Sequence, residues 1–327
     1  MRFEIRPPIL GAGTAVWDEP AAFEDLNHLI VRADEAEHEV DLHDADLLDA
    51  SAWFADARPR ERTRLLDLQL RSQAAVWQPR SAPVARPTYT VTSVDAAARA
   101  LRIARTSLRV LVENELRDGA LIDAAVRLLA SDPLRRLWLR PPVPPVFEVR
   151  NAGGAGEVPG LLMAWRQAAV EAELPLRVVV FVDSDRNAPE VAASGKAQRA
   201  ESAATSVGAT CLVASKRSAE NYLPDEHWAA ERARDPRNPA YKQGIDELLE
   251  MTTDDRDFVD MGEAKKGRKQ VAAQYDAERP YHLTVFRDRV VASENDSTAR
   301  ETMADDLRKR DHAGDLSTLL DHLEKDR

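Results

Sequence analysis

The residues best equipped for chemistry are acids, and they recur at one kind of place. Glu113 follows the apolar run Leu108 to Val112, and Asp183 and Asp185 follow Arg177 to Val182. Asp118 and Glu220 also fall soon after apolar runs, the latter after Thr210 to Ala214. Short runs of this kind read as buried strands. Asp183 and Asp185 are two residues apart, so continued extension through Ser184 would put both side chains on one face. Two carboxylates about 4 Å apart repel by about 4 kcal/mol at an effective dielectric near 20, and Glu113 would add to that. A cation relieves the repulsion. Hard oxygen donors without a thiolate or histidine cluster beside them suit Mg²⁺ or Mn²⁺, which activate water, orient a phosphate and stabilise a leaving oxygen. An isolated Asp-x-Asp has a plainer reading as a turn or helix cap.

The elements that must position these acids can be read along the chain. Residues 1–78 carry strand-like pieces at Phe3 to Ile5 and His28 to Val31 and a helical pattern around Leu65, Leu68 and Ala74, and suggest no function. Proline-bearing residues 79–92 read as a linker. From 93 to 224 strand and helix alternate. A helix over Ser93 to Arg105 precedes strands at Leu108 to Val112, Val146 to Val149, Arg177 to Val182 and Thr210 to Ala214. Helices are expected between them, and a glycine-rich turn follows Asn151. That alternation predicts an α/β fold with a Rossmann-like parallel sheet flanked by helices. In such sheets the functional crevice lies outside the carboxyl ends of the strands, where these acids fall. Residues 225–327 read as a mostly helical, charged C-terminal extension that packs on its own domain.

The pattern Val110-Leu111-Val112-Glu113-Asn114, followed by Val182-Asp183-Ser184-Asp185, resembles the TOPRIM fold of topoisomerases, bacterial primases and OLD-type nucleases. Ser218 to Pro224, with Glu220-Asn221-Tyr222-Leu223, is similar to an element following the last core strand in OLD-like and related phage-defence proteins. The likeness spans about a third of the chain. It implies a Mg²⁺- or Mn²⁺-dependent endonuclease with one or two ions. By that resemblance Glu113 binds metal and serves as general base, Asp183 and Asp185 hold the ions, Glu220 is a second-site ligand, and Lys216 stabilises phosphate charge. Asn114 stands where the family has glycine, and Asp118 comes one residue late with Glu115 between, so either acid could complete the site.

A net charge of −11 argues against passive coating of nucleic acid, so contact with DNA or RNA must be local. Candidate basic clusters are Arg135, Arg136 and Arg140; Lys216 and Arg217; and Lys265, Lys266, Arg268 and Lys269. Cys211 is the only cysteine, which excludes a disulfide framework and a thiolate cage, and it reads as a buried thiol. The opening residues and the absence of an apolar run near 20 residues lead to the expectation of a cytoplasmic protein without membrane contact. No Walker loop occurs. OLD-type proteins join an ATPase to their nuclease, so the resemblance suggests a separate ATPase partner. A homo-oligomer is an open expectation. The competing functions are a non-catalytic TOPRIM-like binding or regulatory module and a glycosyltransferase using Asp-x-Asp.

Overall fold

The computed structural model describes residues 1–7, 9–10, 20–77, 86–234, 239–259 and 282–326. Two parallel sheets form within it. In the first, β1 (Arg2–Ile5) lies between β2 (Glu39–Leu42) and β3 (Thr88–Val91). The connection from β1 to β2 includes α1 (Pro20–Glu35); α2 (Ala52–Asp56) and α3 (Pro59–Trp77) precede β3, and α4 (Val94–Arg105) follows it.

Three sequence expectations change here. His28 to Val31, taken as a strand, lies inside α1, where Leu26, Leu29, Ile30 and Ala33 are buried. Their i, i+3, i+4, i+7 spacing builds one continuous apolar stripe, and that longer period outweighs a four-residue β-prone run. Part of the expected linker 79–92 is also structured. Residues 78–85 lie outside the described residues, but Thr88–Val91 is β3, in register with β1. The helix α4, expected to open the alternating module of residues 93–224, instead buries Ala97, Ala100, Leu101 and Ile103 in the core of the first sheet. The transition between the two cores therefore falls near Thr106.

The second sheet has the order β5-β4-β6-β7, with β4 (Leu108–Val112), β5 (Phe147–Asn151), β6 (Val178–Val182) and β7 (Thr210–Val213) all parallel. Both faces of its central strands are covered, which explains their unbroken apolar sequence. Val110, Val112, Val179 and Phe181 face one core, which includes residues of α5 (Asp118–Leu129) and α6 (Asp132–Leu139). Leu111, Val178, Val180 and Val182 face the other, with α7 (Val158–Glu171) and α8 (Gly195–Ser206). The fold is α/β, with parallel sheets flanked by helices.

Beyond β7 come α9 (Asp225–Arg234), α10 (Pro239–Glu250), α11 (Thr253–Asp257), α12 (His282–Ala292), α13 (Ser297–Arg310) and α14 (Asp315–Asp326). The last three do not stand apart as an extension. Leu283, Phe286, Val290, Leu307, Leu316 and Leu319 share one core with β4 and α5. None of the helices among the described residues is long and apolar enough to cross a membrane. If α12 belongs to the core of the sheet, Phe286→Ala should destabilise the whole chain by about 3–5 kcal/mol in urea denaturation. A loss under 1 kcal/mol would show that the C-terminal helices are peripheral.

Candidate acidic site

The chain leaves β4 for β5 on one side and returns to β6 on the other, so the order of the sheet reverses between β4 and β6. A crevice opens at the carboxyl ends of two strands whose crossovers depart to opposite faces. Val112 pairs with Phe181, which places Glu113 and Asp183 just past the last paired residues of the two strands. Strand alternation then separates their side chains. Glu113 continues the face of Leu111 toward α7, and Asp183 continues the face of Phe181 toward α5.

The hydrogen bonds agree with that alternation. One Glu113 oxygen accepts from the backbone N–H of Ala155, just before α7, at 2.9 Å, and the other accepts from the N–H of Asp183 at 3.0 Å. Gly153 and Gly154 have φ of 80° and 117°, and this left-handed turn brings Ala155 back over the strand end. Burial raises the Glu113 pKa, the two N–H groups oppose the rise, the Asp185 charge adds to it, and Lys196 opposes it.

Across the crevice, Asp118 opens α5, buried and accepting from the N–H of Asn114 at 2.8 Å. Gly119 lets the helix begin close to the sheet, since a Cβ there would meet Val149 Cγ1 at 3.3 Å. Asn114 does not adopt a left-handed φ, so glycine is not required at that position. Its side chain accepts from the N–H groups of Leu116 and Arg117 at 3.1 Å each, forming the turn that absorbs the extra residue. Glu115 is exposed, and Asp118 is the acid turned inward. Burial, followed by the Glu113 charge, pushes Asp118 up to about 6 against the pull of the Asn114 N–H and Arg117.

Asp183 is the least compensated group. Its Oδ1 is sealed from solvent without a hydrogen-bond partner, although the residue as a whole is partly exposed. Burial, then the charges of Asp118 and Glu113, raise its pKa well above the usual carboxylate range, while Arg117 lowers it. The Arg117 guanidinium also forms an ion pair with Glu220, which is 2% exposed and has its Oε2 unpartnered. Arg117 therefore connects Glu220 with Asp118 and Asp183, a link with no family-like spacing to announce it in the sequence.

Two expected site residues sit differently. Asp185 does not share a face with Asp183 through an extended Ser184. Its φ is 54°, its side chain is exposed, and its N–H donates to the Arg217 carbonyl at 3.0 Å, while the Ser184 side chain is buried and donates to the Lys216 carbonyl. The left-handed turn breaks the strand alternation. Lys216, expected to face a phosphate, is 1% exposed, ion-paired with Asp257 and stacked over Tyr222 at 5.3 Å. Burial, then the charge of Arg310, lowers its pKa to about 8. The exposed cation whose charge reaches Glu113 is instead Lys196, in the first turn of α8.

Among the described residues, no three Asp, Glu, His or Cys side chains converge closely enough to hold a metal ion as they stand. Neighbourhood and coordination thus differ: Glu113, Asp118 and Asp183 feel each other's charge, but backbone N–H groups and Arg117 occupy part of their oxygens' surroundings. Arg135 and Arg136 are ion-paired with Asp132 and Glu37, and Lys265, Lys266, Arg268 and Lys269 lie outside the described residues. A hollow of about 680 Å³ lies along β3 and α4, among Tyr89, Arg99 and Arg102, and contains none of these site acids. Cys211 is half-buried, and burial pushes its thiol up to about 12, which leaves it unreactive. No protein-family model, curated protein or solved structure matches the chain.

The raised pKa values give a pH dependence of definite sign. Asp118 binds its proton more tightly folded than unfolded, so it contributes stability at pH below about 3.8 that is lost as the pH rises through about 6. Asp183 acts in the same direction. Asp118→Asn, which can still accept from Asn114, should therefore be more stable than the parent chain at pH 8 with EDTA, by about 1–3 kcal/mol, and the gain should shrink at pH 5. Equal melting temperatures across this range would contradict the assigned shift.

Proposed function

We propose that the chain is a metal-dependent nuclease that hydrolyses nucleic-acid phosphodiesters at the crevice between β4 and β6. The supporting observation is the partnerless Asp183 Oδ1, held beside Glu113 and Asp118 where the strand order reverses. The acids after β4 and β6 and the Glu220-Asn221-Tyr222-Leu223 element after β7 are the features that carry the resemblance to a TOPRIM-like module. The donor chemistry fits Mg²⁺ or Mn²⁺, since the donors are hard oxygens and two of them, on Asp183 and Glu220, have no other partner. Asp183, Asp118 and Glu113 would hold the ion, with Asp185 and Glu220 as outer candidates. When bound, it would supply Lewis-acid activation of water and stabilisation of the leaving oxygen.

The chain's own groups complete the chemistry. Glu113 is oriented by two backbone N–H donors, and its raised pKa brings it toward the range in which a carboxylate accepts a proton from water. Lys196, at the exposed start of α8, meets the phosphate in place of Lys216. Arg186 and Arg217, in the loops after β6 and β7, add local positive charge that an overall charge of −11 makes necessary. A role in phage defence extends the same resemblance. The second reading, a binding or regulatory module, draws support from the acids' failure to converge as placed.

Purified protein should nick supercoiled plasmid with Mg²⁺ or Mn²⁺, and Glu113→Gln and Asp183→Asn should slow nicking by about 100-fold or more while remaining folded. Intact plasmid with wild-type protein under both ions would reject the nuclease reading for DNA, and the same assay on RNA completes the test. Lys196→Ala should lower kcat/KM by about tenfold and flatten its salt dependence. Lys216→Met should instead lower stability, by about 1–3 kcal/mol, because Asp257 loses one of its buried cationic partners and keeps Arg310.

A further inference from the structure

Arg117 holds an unusual place for a residue one position before a buried site acid. Its backbone is fixed by the Asn114 side chain, and its guanidinium is ion-paired with Glu220. The two partners differ in freedom: 31% of the Arg117 side chain is exposed, against 2% for Glu220. A long, partly solvated side chain can leave a pair for water without moving the backbone, whereas Glu220 is fixed within a turn held by Ser218 and Asn221. Departure of Arg117 would leave Glu220 with two uncompensated oxygens and deprive Asp118 and Asp183 of their nearby positive charge. Buried charge in that state is relieved either by protonation or by another cation.

We infer that Arg117 is the built-in counter-cation of the acidic crevice and competes with a divalent cation for it, so that metal loading requires the Arg117–Glu220 pair to open. This rests on the reading of the crevice as a cation site, but not on catalysis. It also accounts for acids that are close enough to interact yet do not converge: the crevice stands in its arginine-neutralised form. Glu220 joins the site as a reserve carboxylate, available only when the arginine swings out.

The test is calorimetric titration of the full chain with Mn²⁺, comparing wild type with Arg117→Gln, Arg117→Lys, Asp183→Asn and the Arg117→Gln/Asp183→Asn double variant. Competition predicts that Arg117→Gln binds Mn²⁺ about tenfold more tightly, or binds it where wild type does not. Arg117→Lys should stay near wild type, and both Asp183→Asn forms should lose the site. Binding that depends on Asp183 but is unchanged or weakened in Arg117→Gln overturns the competition while leaving the cation site intact. No Mn²⁺ binding by any form overturns both. Should Arg117→Gln unfold because Glu220 is left unpaired, Glu220→Gln is compared with Arg117→Gln/Glu220→Gln, which leaves that pair uncharged. Competition predicts tighter binding by the double variant, and equal or weaker binding overturns it.

Discussion

Carboxylates gathered at the carboxyl ends of a sheet's central strands repel each other where water cannot screen them, and the surrounding structure is arranged around that repulsion. Glu113 receives two backbone N–H donors from different loops. Asp118 gains an N–H from Asn114 and the positive end of α5. Asp183 keeps a bare oxygen. The Arg117 charge lowers both Asp118 and Asp183. The same strand alternation that buries valines on both faces of β4 and β6 sends Glu113 to one side of the crevice and Asp183 to the other. The residue order therefore sets both the core and the division of charge.

A second buried charge network ties the C-terminal helices to the loops beside this crevice. Asp257 of α11 is ion-paired with Lys216 and with Arg310 of α13, and its carbonyl accepts from the Arg217 N–H. Asn221 donates to the carbonyls of Arg256 and Val259, while Tyr222 donates to Asp315 of α14. Deleting one charge from this set leaves others uncompensated in a poorly solvating interior. The Glu220-Asn221-Tyr222-Leu223 element thus presents one residue to Arg117 and uses the next two to fasten helices from more than thirty positions later. The stability of the helical layer and the position of Glu220 are coupled through adjacent residues.

Much of this architecture was visible in local sequence. The β-branched runs at Leu108 to Val112 and Val178 to Val182 formed buried parallel strands, because unbroken apolar sequence suits a sheet covered on both faces. Glycines after Asn151 formed the turn expected of them. Less visible was which core claimed each helix. The α4 sequence suits helix equally well on either sheet, and only packing assigns it to the first. Nor does local sequence announce that His38 is buried against Phe3, where burial lowers its pKa.

The sequence by itself determined where acids follow strands, because strand ends are marked by a local change from apolar to polar residues. Tertiary structure decided which of those acids meet. Asp118 rather than Glu115 turns inward through an Asn114 turn, Asp185 is diverted by a left-handed residue, and Lys216 is drawn under the C-terminal helices by Asp257. Arg117 reaches Glu220 across about a hundred residues of chain. Periodicity records a residue's relation to its own element, whereas electrostatic partnership depends on distances that exist only after distant elements have packed.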